Sequence, residues 1–201
     1  MADASRNGRQ RVVGRCSASA AATGALALNI DETPVSSHLS MSDVGRVRER
    51  IDRLDAHFSA IGSRPLLTVA TAYLDRLTTA ADHCTYGPRV EQALHTAVAS
   101  LCSSAGWAAD DAEELDAAHL RRTAALQRAI LGANHRAQAR AWSDLAVHAR
   151  RSGHHREALR ISQTALNSRE ARQDPLYRRF CLYRGHDFRE SQVGWITVWV
   201  I

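Results

Sequence analysis

The feature that most constrains this chain is a self-match at a separation of 40 residues. Ala99, Ser103, Ala109, Ala118, Ala125 and Leu126 recur as Ala139, Ser143, Ala149, Ala158, Ala165 and Leu166, and Gly106 aligns with Ala146. The stretch "LAVHARRSGHHREALRISQTAL" (145–166) shows the unit in full: an amphipathic run, a Gly-His-His turn and a second amphipathic run. Small residues on both runs let two antiparallel helices approach closely, and such hairpins bury their apolar faces by stacking on their neighbours.

The helical period extends N-terminally of the repeat. Val44, Val47, Ile51, Leu54, Phe58 and Ile61 recur at steps of three and four, one apolar face of a helix. Ser40 and Asp43 have capping-box spacing, and Gly62 stops the run. Pro65 and Pro88 suit the first turns of the next two helices. Leu66, Val69, Tyr73 and Leu77 form the face of one, and Val90, Leu94, Val98 and Leu101 that of the other. Further helices are expected over 116–131, 135–151 and 154–169, with acidic "DDAEELD" as a turn. No segment before residue 190 reads as a strand; "ESQVGWITVWVI" at the C-terminus is the one β-like run.

Composition supports this reading. Aromatics are only 5% against 45% hydrophobic residues, and an alanine-rich, aromatic-poor chain favours closely packed helices over sheets. All 26 residues counted as Lys+Arg are arginine, and the net charge of +5 is spread along most of the chain, which marks no single site. Cys16, Cys84, Cys102 and Cys181 form no CxxC or zinc spacing, so neither a metal nor a disulfide framework is expected, and a reducing cytoplasm fits. No run reaches the roughly 20 apolar residues of a membrane span. Residues 1–40 are expected to be a disordered tail of basic and small residues, 41–170 the helical domain, and 171–201 an atypical C-terminal segment.

Trp142-x2-Leu145-Ala146-x2-Ala149, Gly153 and Ala158-x3-Ser162-x2-Ala165 resemble a tetratricopeptide repeat, and the block from Ala105 to Ala125 fits the same frame. "SSAGWAADDAEELDAAHLRRTAALQRA" with the block that follows resembles the C-terminal repeat region of bacterial XRE-type transcriptional regulators. Gly106-Trp107, Asp111-Ala112, Gly153 and Glu157-Ala158-Leu159 carry that likeness, over about 41–170. It implies an all-α fold of antiparallel helical hairpins stacked as a TPR-like right-handed array. It also implies a regulatory module that senses a partner and relays that state to a DNA-binding domain. No helix-turn-helix is evident in residues 1–40.

The expected function is therefore non-enzymatic binding of a protein or peptide, without cofactor or metal, in the cytoplasm and away from membranes; a homodimer is compatible. The alternative is a weak, non-specific DNA-binding regulator acting through arginine-rich faces. By the resemblance, the first helix of each hairpin lines a concave groove. The candidate groove residues are Ser103, Trp107, Asp110 and Asp111 from one repeat, and Arg140, Ser143, Val147, Arg150 and Arg151 from the next. Other polar clusters read as structural. His154-His155 is a polar turn, His148 pairs with Asp144 one turn away, Asp110 belongs to a solvated acidic turn, and Arg121-Arg122, Arg150-Arg151 and Arg178-Arg179 are solvated faces.

Overall fold

The computed structural model describes residues 38–175, apart from Gly62, together with Arg178. These form seven helices: α1 (Met41–Ile61), α2 (Arg64–His83), α3 (Pro88–Asp111), α4 (Leu115–Leu131), α5 (His135–Arg151), α6 (His155–Leu166) and the short α7 (Arg169–Gln173). The β-like C-terminal run and most of the basic N-terminal tail lie outside the described residues.

Helix starts follow local chemistry. The Ser40 backbone N–H donates to Asp43 Oδ2 at 2.8 Å and its hydroxyl donates to the same oxygen at 2.5 Å, which closes the box ahead of α1. Pro65 and Pro88 occupy first-turn positions of α2 and α3, where a missing N–H costs nothing. Asn134 caps α5 by accepting from the Ala137 N–H at 3.0 Å. The chain is already tied down before α1: the Leu39 N–H donates to the Thr85 carbonyl at 3.0 Å, and Leu39 is buried.

The 40-residue register is structural. The turns after α3 and α5 close identically: Glu114 N–H to Ala109 carbonyl and His154 N–H to Ala149 carbonyl, at 2.9 and 2.8 Å. This is the backbone pattern of a Schellman motif, which requires a left-handed residue just past the helix. Gly153 supplies it at φ 83, and Glu113, 40 residues earlier, adopts φ 65. Holding a non-glycine residue there costs about 1 kcal/mol. Of the six repeated pairs, every member except the half-buried Leu166 is buried. The small residues thus mark the interfaces between helices.

Helices pack mainly with sequential neighbours, as stacked antiparallel hairpins: α1 with α2, α3 with α4, α5 with α6, then α2 on α3 and α4 on α5. The first helices also touch one another, α1 with α3 and α3 with α5, whereas α2 with α4 and α4 with α6 meet at most marginally. The first helices therefore lie closer to one another than the second helices do, and α1, α3 and α5 share one side of the stack, its inner face. Leu54, Leu66, Leu77, Leu101 and Cys102 centre a core that runs from α1 into α5, where Ala141 and Leu145 join it. A smaller cluster of Ala139, Ala165 and Ala171 lies where α7 packs back on the last hairpin.

Candidate functional site

Two polar constellations stand out, one buried between hairpins and one open on the inner face. The buried one centres on Asp110 near the end of α3. Its carboxylate pairs with the Arg122 guanidinium of α4, and neither side chain has any solvent exposure. His148 of α5 donates through Nδ1 to Oδ1 of Asp110 at 2.9 Å, and Arg151 Nη1 lies 3.6 Å from Oδ2. Arg122 also donates to the Asp144 carbonyl at 3.0 Å, and its guanidinium carbon sits 4.3 Å from the centroid of the Trp107 ring. Asp144, 1% exposed, accepts from the Ser103 hydroxyl and has Arg140 Nε at 3.9 Å.

Gly106 makes room for this arrangement. A Cβ at residue 106 would stand 2.9 Å from Arg122 Cγ, so the Arg122 stem passes through space that only glycine leaves. Three sequence-based expectations are corrected here. Arg122 is not on a solvated face and Asp110 is not in a solvated turn: the 103–106–110 stripe of α3 faces into the stack, where each charge meets its opposite. His148 likewise turns away from Asp144, one turn back on its own helix, to reach the Asp110 carboxylate across the interface.

The second constellation lies between the second and third hairpins. Between α3 and α5 is a partly open cavity of about 190 Å³. Ala99, Ala125, Ala137 and Ala141 line it with methyl groups, and Ser100, Ser103, Arg136 and Arg140 add polar groups. Beside it, Asp55 of α1 is held above the usual carboxylate range, chiefly by burial; the Ser104 hydrogen bond and the Arg140 charge pull the other way.

The candidate groove residues thus divide. Ser103 and Arg140 line the cavity. Asp110, Ser143 and Val147 are buried inside the stack, with Val147 at 2% exposure. Trp107 is half-buried over Arg122. Asp111 is exposed and accepts from the Ser63 hydroxyl at 2.7 Å, which joins the first two hairpin turns. Arg150 and Arg151 stand at the C-terminal end of α5, beside the exposed His154-His155 turn. The cavity residues that were not among the sequence candidates are Thr96, Ala99, Ser100, Ala125, Asn134, Arg136, Ala137 and Ala141. One signal was present: Thr96 and Ser100 stand one turn apart on α3, with Ser104 a turn further on, a hydroxyl stripe along one side of the helix.

Other reactive groups sit in protective surroundings. Burial pushes the Cys102 thiol up to about 11, against the weaker opposite pull of Arg121 and Arg128. His95 is shifted down, first by burial and then by the Arg128 charge. Among the described residues no group of three or more His, Cys, Asp or Glu side chains is placed to hold a metal ion, and no helix is long and apolar enough to cross a membrane. Compared with known proteins, the chain matches no family model, no curated protein and no solved structure.

Proposed function

We propose that this chain is a non-catalytic binding module that receives a protein or peptide partner on the face formed by α1, α3 and α5. The observation that carries this reading is the cavity between α3 and α5, which is open and mixes methyl and polar lining. The buried Asp110 network supports it differently. Its charges are spent on one another, so it fixes how the second and third hairpins stack and leaves recognition to the inner face. The resemblance to the repeat region of XRE-type regulators adds the biological reading: a cytoplasmic sensor whose occupancy is relayed to DNA-binding machinery.

A test is selection of peptides from a random display library on the full chain, followed by titration of the best binder. Ala137 is half-buried on the cavity rim, so Ala137→Leu should fill the opening at little cost to folding. The reading predicts at least tenfold weaker peptide binding to this variant. Equal binding to both proteins contradicts it.

A second reading has one observation behind it. Arg151, His154, His155 and Arg156 are exposed together at the α5–α6 turn, a setting that suits weak contact with phosphates. Fluorescence anisotropy with duplex DNA separates the two. Submicromolar, sequence-selective binding at physiological salt would place DNA recognition ahead of peptide binding.

A further inference from the structure

We infer that the cavity between α3 and α5 takes a carboxylate carried on a short aliphatic stem. This rests on the reading of the inner face as a binding surface and names the ligand chemistry that the surface selects. The first ground is the lining. Methyl groups of Ala99, Ala125, Ala137 and Ala141 come from three different helices, α3, α4 and α5, and give the cavity an apolar wall. A fully hydrated anion such as phosphate gains nothing from four methyl groups, whereas an aliphatic stem does. The second ground is charge. Arg136 and Arg140, one turn apart on α5, both border the cavity. A guanidinium offers two parallel donors to a planar carboxylate. The third ground is size. A volume of about 190 Å³ corresponds to roughly six waters of liquid, room for a chain of a few carbons with its carboxylate.

The neighbouring acids set the strength of binding. Asp174 lies 3.8 Å from Arg136, and Asp144 lies 3.9 Å from Arg140. Asp144 also accepts from Ser103. A ligand carboxylate competes with these acids, so a small free acid binds weakly, and a peptide adds affinity through the rest of the inner face. The carboxylate has two sources, a free peptide C-terminus or an acidic side chain, and both present the same group on an aliphatic stem.

The experiment follows amide chemical shifts of the ¹⁵N-labelled full chain. The probes are sodium valerate, neutral valeramide, and three short peptides: one ending in valine with a free carboxylate, its amidated form, and a blocked peptide with a single glutamate. Valerate should shift residues around Ser100 and Ala137, with valeramide at least tenfold weaker. Arg136→Gln, at an exposed position, should weaken valerate severalfold, and Ala137→Leu should abolish its shifts, while both variants keep the folded spectrum. The free-terminus peptide outbinding its amide assigns the C-terminus; the glutamate peptide binding instead assigns the side chain. Equal binding of valerate and valeramide, shifts remote from the cavity, or unchanged valerate binding in both variants overturns the inference. A library-selected peptide that binds the inner face equally well without any carboxylate overturns it too, while leaving the binding-module reading intact.

Discussion

Replacing Asp110 with asparagine should be the most damaging conservative change in the protein. The substitution preserves shape and removes one charge. Arg122, with no exposed side-chain surface, then loses its carboxylate partner and keeps the Asp144 carbonyl and the face of Trp107. Its Nε already lacks a hydrogen-bond partner, so the remaining structure has little with which to compensate. Breaking a buried ion pair from one side costs about 3–5 kcal/mol. For a domain of this size that is a fall of about 10–20 °C in Tm. Arg122→Met is the informative contrast. It leaves Asp110 with His148 at 2.9 Å and Arg151 at 3.6 Å, so the orphaned charge is still answered, and the methionine fills much of the vacated stem volume. The cost should be about half that of Asp110→Asn. Urea denaturation followed by far-ultraviolet circular dichroism measures both, with the slope checking that each variant unfolds in one step. A loss below about 1 kcal/mol for Asp110→Asn, or a larger loss for Arg122→Met, would show that Arg122 does not depend on the Asp110 carboxylate in this way.

Three further outcomes are expected. Ala158 is 8% exposed on the inward side of α6, so Ala158→Leu should cost about 1–3 kcal/mol by overpacking, read as a lower denaturation midpoint. Hydrogen bonds from Ser40 hold Asp43 below the usual carboxylate range, so its ionised form favours the folded state. That contribution is present above pH 3.8 and fades as pH falls through the lowered folded value. Asp43→Asn should therefore lose about 1 kcal/mol at pH 7 and progressively less as the pH falls below 3.8, compared by denaturant melts along a pH series. With its thiol raised to about 11 and 1% exposed, Cys102 should resist iodoacetamide at pH 8 in the native chain and react on unfolding, as peptide mapping would show.

The fold was legible because its signals are local and periodic. Val44, Val47, Ile51 and Leu54 mark a helix face at any reading, and the Ser40–Asp43 cap and two prolines set where helices begin. The repeat was legible because alanine is the residue that close helix contacts demand; Ala109, Ala118 and Ala139 have no exposure at all. Glu113 escaped detection as the counterpart of Gly153, since nothing about glutamate announces a left-handed turn. The polar residues were harder for a related reason. Arginine and aspartate face water in most helices, and burial of Arg122 and Asp110 depends on partners contributed from α3, α4 and α5. The space left at Gly106, visible once Arg122 is seen beside it, explains why α3 carries a glycine inside its C-terminal half. The candidate groove residues were chosen by repeat register, which placed them on α3 and α5. Ser100, Ser103, Trp107 and Asp110 share one side of α3, and position along it separates the cavity-lining Ser100 and Ser103 from Trp107 and Asp110, which meet Arg122 nearer the C-terminal end of the helix.

The central claim is that α1, α3 and α5 form the recognition surface. The most direct measurement is an amide chemical-shift map of the full chain titrated with its tightest library-selected peptide. The largest changes should fall on Ser100, Ser103, Ala137 and Arg140, with smaller ones spreading to Asp55. Changes concentrated instead on the outer second helices, around the exposed Leu120 of α4 and Leu159 of α6, would contradict it.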